Sequence, residues 1–306
     1  MWSATIDVDG PVHLAEWGSG PARIMLVHGL GGSHLNWMRV APQLTRYGRV
    51  LALDLPGFGL TPVNGRPATV PADAELLDRV IERTCTQPVV LVGNSMGGLI
   101  ALTEARRHPV RVAGLVLVDS VLPSPWRRRR PAVVSLAFAA YLLPSLGRRL
   151  LRHARDRLSV EQLVDGALRL CAERTESIPA DVVEAHVQLE RLRGRLPEND
   201  TAYVLAAHSI IQALMHRVRL RRLLRGVTVP TLLIHGERDR LVRVDAARQA
   251  LRLHPDWELQ VMEGVGHVPM LESPYRFLEI LDEWLGKRGL GTATPPGAVQ
   301  RASVAT

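Results

Sequence analysis

Short apolar runs alternate with amphipathic stretches along most of the chain, and this alternation limits the fold more than any other feature. The runs predict β-strands at Ser3–Val8, Val12–Trp17, Ile24–Val27, Val50–Leu53, Val89–Val92, Gly114–Val118, Val229–Ile234 and Glu258–Met262. The stretches between them predict helices at His34–Tyr47, Ala72–Thr84, Met96–His108, Val244–Leu253 and Pro274–Leu285. A turn at Asp9-Gly10-Pro11 makes the first two strands antiparallel. Strands and helices that take turns predict an α/β fold, with a mostly parallel central sheet flanked by helices.

The alternation stops between residues 121 and 225, where apolar stretches are separated by arginine-rich ones in a helical pattern. We interpret this segment as a helical cap inserted into one core domain, whose two parts are residues 1–120 and 226–288. Residues 289–306 hold almost no large apolar side chains, so we expect a disordered tail there.

The sequence predicts neither a cleaved secretory signal nor a membrane-spanning helix. No apolar run follows a basic start in Met1–Gly10, so we expect no cleaved secretory signal and a cytoplasmic location. The uncharged stretch Pro131–Gly147 is shorter than the about 20 residues of a spanning helix, and Pro144 interrupts it. Two cysteines, Cys85 and Cys171, are too few for a disulfide framework or a thiolate metal site and are predicted to be buried thiols.

The formal net charge of +8 belongs to the cap, where residues 121–225 contain 19 arginines and 10 acidic residues. A charge run of this kind is either a solvated surface or a contact site for an anionic partner. No basic motif interleaved with aromatic residues is present, so we do not expect nucleic acid binding. Trp126 and Arg127–Arg130 beside an apolar stretch suggest a peripheral contact with an anionic membrane.

The strongest local motif is Gly93-Asn94-Ser95-Met96-Gly97-Gly98, which follows an apolar strand and opens a helical pattern. A serine on a sharp strand-to-helix turn with small neighbours has the context of a nucleophile elbow. Such a motif also occurs by chance, but rarely between a strand and a helix. We therefore predict Ser95 as a catalytic nucleophile.

A serine nucleophile needs a base, and the base needs an orienting acid. Asp239 and His267 each follow a predicted strand of the second core part, and parallel sheets place their sites at these strand ends. Considered alone, Asp239 could be a residue that forms a turn, and His267 could be a histidine in a surface loop. In the chain order Ser, Asp, His we predict His267 as general base and Asp239 as its partner, with Asp119 as the next acid to test.

A tetrahedral oxyanion would need backbone donors, which the glycine-rich segment Val27–Ser33 can supply after its strand. We predict an oxyanion hole formed by the N–H groups of Leu30 and Met96, with Gly31 able to replace Leu30. Neither nucleotide-binding glycine motif is present, and the predicted chemistry needs no metal and no organic cofactor.

These motifs together resemble the α/β-hydrolase family over about residues 3–288. The similar segments are the elbow, His28-Gly29, Asp54-Leu55-Pro56-Gly57-Phe58-Gly59 and Gly266-His267-Val268-Pro269. The resemblance implies that His28 and Asp54 are structural residues that support loops.

A serine at the elbow favours carboxylic ester or thioester hydrolysis, because family members that open epoxides or remove halides use aspartate there. The cap stretches Pro131–Gly147 and Thr201–Met215 either pack on each other or place an apolar wall over Ser95, so we expect an apolar small-molecule ester as substrate. The elbow also resembles that of carbon–carbon bond hydrolases of aromatic ring-fission products, although Val268 replaces the aromatic residue that often follows their histidine. A catalytically silent, hydrolase-like binding protein is a third interpretation.

Overall fold

The computed structural model describes residues 1–123, 140–194 and 196–290. Its strands are β1 Trp2–Asp7, β2 Pro11–Trp17, β3 Ala22–Val27, β4 Arg49–Leu53, β5 Val89–Asn94, β6 Val112–Val118, β7 Thr231–Gly236 and β8 Glu258–Met262. Its helices are α1 Ala41–Leu44, α2 Val70–Thr84, α3 Met96–Arg107, α4 Pro144–Arg157, α5 Val160–Cys171, α6 Ala180–Arg193, α7 Pro197–Met215, α8 Arg217–Arg225, α9 Val244–Leu253, α10 Pro269–Glu272 and α11 Pro274–Lys287.

The strands form one eight-stranded sheet in the order β1-β2-β4-β3-β5-β6-β7-β8. In the described parts of the chain, β2 alone runs antiparallel to both of its neighbours, and the six strands that follow it in the sheet order, β4-β3-β5-β6-β7-β8, are parallel. This arrangement confirms the predicted mostly parallel sheet. Because the parallel strands point the same way, the loops that follow β3, β5, β6, β7 and β8 all open at one edge.

Alternate residues of each central strand enter separate apolar cores on the two faces of the sheet. In β5, Leu91 joins the core covered by α2 and α3, whereas Val90 and Val92 join the core covered by α11. Side chains alternate across a strand, so a strand covered on both faces is apolar throughout. This is why the central strands are continuous apolar runs in the sequence.

Helices α4 to α8 lie between β6 and β7 and form the helical insertion. The predicted boundaries of this cap at residues 121 and 225 remain predictions. The first apolar cap stretch lies outside the described residues from 131 to 139, and so do Trp126 and Arg127–Arg130. Residues 291–306 of the predicted tail are also outside them.

The predicted helix His34–Tyr47 is wrong as a single element. The structure divides it into a 3₁₀ turn at His34–Trp37, the short helix α1 and a second 3₁₀ turn at Thr45–Tyr47. Pro42 lies in the first turn of α1, where its missing N–H prevents the preceding turn from continuing as an α-helix.

The cysteine prediction also needs correction, because Cys85 and Cys171 are free but only half-buried.

No helix in the three described ranges combines the length and the apolar content that crossing a bilayer requires.

Asp54, directly after β4, is a fully buried carboxylate that connects two loops to the sheet. It accepts hydrogen bonds from the backbone N–H of His34 at 2.7 Å and of Leu60 at 2.9 Å. The Nδ1 atoms of His13 and His34 donate to it as well, each at 2.8 Å. Burial alone would raise the pKa of Asp54, but the bonds from the two histidines hold this pKa well below its ordinary value.

We expect Asp54→Asn to lower the free energy of unfolding by about 2–4 kcal/mol near neutral pH, because buried donors lose a charged acceptor. The native carboxylate has a lowered pKa, so its contribution is complete above the ordinary value of 3.8 and is lost as the pH falls through the folded-state value. The difference between wild type and variant should therefore shrink in acid. Urea unfolding at several pH values measures it, with the exposed Asp256→Asn as control; a difference that stays constant with pH would contradict this account.

Candidate active site

Ser95 occupies the turn between β5 and α3 with a backbone conformation that non-glycine residues rarely adopt, at φ 53° and ψ −114°. Its N–H donates to the carbonyl of Val118 at 2.9 Å, and its carbonyl accepts from the N–H of Val121 at 3.1 Å. These bonds to the end of β6 hold the turn in place. A Cβ on Gly97 would stand 2.2 Å from the carbonyl oxygen of Val27, so only glycine lets α3 approach β3 this closely.

Asp239 and His267, which follow β7 and β8, form a buried pair. The Nδ1 of His267 donates to Oδ2 of Asp239 at 2.7 Å, and the other Asp239 oxygen accepts from the N–H groups of Leu241 and Val242 at 2.7 and 2.9 Å. Burial opposes ionisation of Asp239, but the His267 charge and these hydrogen bonds lower its pKa. With Nδ1 on the carboxylate, Nε2 of His267 is the nitrogen left to exchange a proton.

The structure brings the His267 loop to the elbow through Asn94. The side-chain amide of Asn94 donates to the carbonyl of His267 at 3.1 Å and to that of Val118 at 3.2 Å. Among the described residues, no hydrogen bond joins Ser95 Oγ to the His267 ring. Catalytic hydrogen bonds are often long without substrate and tighten when substrate binds, so the predicted roles of Ser95 and His267 require this contact to form in the complex.

The two predicted oxyanion donors lie close to Ser95. A Cβ on Gly29 would be 3.0 Å from the Ser95 Cβ, which places the loop of Leu30 directly against the elbow. Met96 is the first residue of α3, whose initial N–H groups have no partner within the helix. Neither Leu30 nor Met96 donates its N–H to another residue in the described parts of the chain, so both groups are available to a ligand.

The cap contacts this loop through α7. A Cβ on Gly31 would be 3.1 Å from Cε2 of Tyr203, so the Tyr203 ring covers the loop. The Tyr203 ring also lies near those of Phe58 and Tyr141, with centroids 6.4 and 5.8 Å away. The second apolar cap stretch therefore supplies at least one aromatic side chain beside the candidate oxyanion loop.

Sequence reasoning missed Glu272 at the end of α10, because a glutamate in a helical pattern carries no signal of its own. This side chain is buried and accepts from the N–H of Gly266 at 2.9 Å, of Glu173 at 3.1 Å and of Arg174 at 3.2 Å. Glu173 and Arg174 belong to the segment between α5 and α6. Glu272 thus ties the cap to the loop that carries His267.

Three clusters of described residues bring histidine or carboxylate ligand atoms within 4.8 Å of one another: His13, His34 and Asp54; Asp78, Glu104 and His108; and Asp119, Asp239 and His267. In all three clusters the histidine Nδ1 atoms already face a carboxylate at hydrogen-bond distance. A nitrogen that donates a proton has no lone pair for a metal. These clusters are therefore built as hydrogen-bond networks.

The chain is similar to known proteins over most of its length. The model of the alpha/beta hydrolase family matches residues 24–280. The chain belongs to the alpha/beta hydrolase family. A pimeloyl-[acyl-carrier protein] methyl ester esterase of Aeromonas hydrophila is 28% identical over 277 residues, which are 90% of this chain and 99% of the relative.

Two further proteins, one relative and one solved structure, are similar to this chain over most of its length. A 2-hydroxy-6-oxononadienedioate/2-hydroxy-6-oxononatrienedioate hydrolase of Cupriavidus pinatubonensis is 25% identical over 92% of both chains. The crystal structure of a putative lipase from Acinetobacter baumannii superimposes with a TM-score of 0.75 at 25% identity, covering 95% of this chain and 93% of the other. Family and relatives confirm the prediction of a carboxylic ester hydrolase.

We expect Glu272→Ala to lower the free energy of unfolding by about 2–4 kcal/mol, because three backbone N–H groups lose their acceptor. Ester turnover should fall as well, since the His267 loop loses its anchor. Thermal unfolding and esterase assays measure both effects. Glu279→Ala on the exposed side of α11 is the control and should change stability by less than about 0.5 kcal/mol; equal effects of the two substitutions would refute the anchoring role.

Proposed function

We propose that this hydrolase cleaves a carboxylic ester, or a thioester, of an apolar small molecule through an acyl-enzyme on Ser95. The observation that supports it is the buried Asp239–His267 pair, which shares a sheet edge with a serine in the strained elbow conformation. A buried ionised acid that fixes one histidine tautomer is what a serine nucleophile requires of its base.

In this mechanism Nε2 of His267 takes the Ser95 hydroxyl proton while Oγ attacks the ester carbonyl. The N–H groups of Leu30 and Met96 bind the oxyanion, and the dipole of α3 adds to its stabilisation. As the C–O bond to the alcohol breaks, His267 returns the proton to the leaving oxygen. Water then loses a proton to His267, attacks the acyl-enzyme and releases the acid, and the proton returns to Ser95.

The substrate proposal comes from the cap and from the relatives. Tyr203 and Phe58 next to the oxyanion loop favour an apolar acyl part. The relative from Aeromonas acts on a methyl ester of a carrier-bound acyl group, which makes methyl esters of medium acyl chains the first substrates to assay.

Carbon–carbon bond hydrolysis is the alternative, because the relative from Cupriavidus carries a name of that type. A series of methyl, p-nitrophenyl and thioesters of increasing acyl length, run beside a ring-fission product, separates the two reactions. A kcat/KM for the ring-fission product well above that of every ester would favour the alternative.

Ser95→Ala should lower ester turnover by roughly 10⁴–10⁶-fold and abolish labelling by a fluorophosphonate probe. Asp239→Asn should lose on the order of 10⁴-fold, because the imidazole loses its orienting acceptor. Ser145→Ala on α4 is a matched control with unchanged activity. If the wild type is folded but neither labelled nor active on any ester, the protein is a silent hydrolase-like binder.

The arginine-rich cap is proposed as a peripheral contact for an anionic membrane. In the described part of the cap, Arg149 and Arg152 are exposed on α4, and Leu146 and Leu150 on the same helix are 42% and 49% exposed. Cations beside exposed leucines suit a lipid interface.

Arg149→Gln with Arg152→Gln should reduce flotation with phosphatidylglycerol vesicles, because electrostatic attraction to the anionic surface is lost. Arg219→Gln with Arg222→Gln on α8 removes the same charge elsewhere and should have little effect. Added salt should weaken wild-type binding. Equal flotation of the two double variants, or none by the wild type, would remove the proposal.

A further inference from the structure

A second carboxyl group, that of Asp119, lies directly behind the Asp239–His267 pair. Asp119 follows β6, has a φ of 45° and donates its backbone N–H to the carbonyl of Ile234 at 3.0 Å. The sheet therefore fixes where its side chain can lie. Asp119, Asp239 and His267 each place a ligand atom within 4.8 Å of the others.

The two oxygens of Asp119 have different surroundings. Oδ1 accepts from the N–H of Gly236 at 2.9 Å, whereas Oδ2 is buried and has no hydrogen-bond donor among the residues that the structure describes. An ionised carboxylate oxygen without a donor is costly to bury. A protonated Oδ2 would instead be a donor in search of an acceptor.

Asp239 is the neighbouring acceptor, with a ligand oxygen that lies within 4.8 Å of one of Asp119. Its carboxylate already receives three donors, from Leu241, Val242 and His267, so it is the member of the pair that keeps the negative charge. Two buried carboxylates this close repel each other when both are ionised, which favours a proton on the one with fewer donors. Burial, and then the charge of Asp239, raise the pKa of Asp119 well above its ordinary value.

Within the described ranges, the other titratable groups around Asp119 supply no compensating cation. Nε2 of His235 is 3.5 Å from Oδ1 of Asp119, but it faces the carbonyl of Val242 at 2.8 Å, and burial lowers its pKa. Glu272 adds negative charge and raises the pKa of Asp119 further. Burial raises the pKa of the Cys171 thiol to about 12, which leaves it neutral.

We propose that Asp119 is a neutral carboxylic acid whose Oδ2–H donates to the carboxylate of Asp239, which makes it a positioning residue for the Asp239–His267 pair. The inference rests on the proposed roles of Asp239 and His267. The donated hydrogen bond holds the Asp239 side chain against His267 and leaves its single negative charge in place for the imidazolium that forms during turnover.

Asp119→Asn tests the protonation state, because its amide is neutral, can accept from Gly236 and can donate to Asp239. The acid limb of kcat/KM against pH for a p-nitrophenyl ester reports the pKa of His267. The limb should stay in place and kcat should remain within about threefold of wild type. If Asp119 were ionised, removing its charge would move the limb to lower pH by about one unit or more, and that shift would overturn the proposal.

Asp119→Ala removes the donor and should lower kcat about tenfold with little change in KM, since it misplaces the pair without touching substrate. Unchanged kcat in this variant would show that no positioning hydrogen bond exists. If the alanine variant fails to fold, the asparagine variant still carries the test.

Infrared difference spectra decide the question independently of activity. At neutral pH, wild type minus Asp119→Asn should contain the carbonyl band of a protonated carboxyl group, and absence of that band would refute the proposal. Asp73 is a second buried carboxyl whose two oxygens have no hydrogen-bond donor and whose pKa burial raises. Asp73→Asn is therefore the reference, expected to remove a separate band without affecting the pH profile. An inactive wild type that still shows the Asp119 band would refute the proposed function alone.

Discussion

The backbone of Ser95 is the constraint on which the candidate site depends. A serine at φ 53° persists only because hydrogen bonds to Val118 and Val121 and the close contact of Gly97 with Val27 leave the chain no relaxed alternative. The same contacts align the end of β5, the first N–H groups of α3 and the loop after β3. The Ser95 hydroxyl and the N–H groups of Leu30 and Met96 are thereby placed together by the packing of the core.

Buried carboxyl groups hold the loops at this edge of the sheet in place, and the protein stabilises these groups in two ways. Asp54 and Asp239 each receive three or more hydrogen-bond donors, so their charge is balanced by backbone amides and imidazoles. The carboxyl group of Glu272 accepts from three backbone N–H groups. Asp119 has one donor and an ionised neighbour, for which a bound proton is the less costly solution. The number of donors around each group, more than its depth of burial, separates Asp54 and Asp239, whose pKa values are lowered, from Asp119, whose pKa is raised.

Much of the fold could be predicted from the sequence because strand and helix periodicities are local properties. The predicted bounds of α9 and β8 agree with the structure, and the elbow was predicted from its flanking patterns. In the region His34–Tyr47, Pro42 is a local signal for the break between the first turn and α1, whereas the contacts of His34 with Asp54, which is distant in sequence, could not be predicted from the apolar spacing. The roles of Glu272 and Asn94 were missed for a related reason: each has a partner far along the chain, Glu173 at 99 residues from Glu272 and His267 at 173 residues from Asn94.

By itself the sequence determined the fold class, the order of its strands and helices and the identity of Ser95, His267 and Asp239 as the residues to examine, because periodicity, turn residues and motif context are encoded over short stretches. Only the tertiary structure decided that His267 bonds to Asp239 while Asp119 lies behind the pair without a donor for one oxygen, and that Glu272 ties the cap to the His267 loop. The physical reason is that burial and hydrogen-bond partners are set by which segments meet at the sheet edge, and those segments are far apart along the chain.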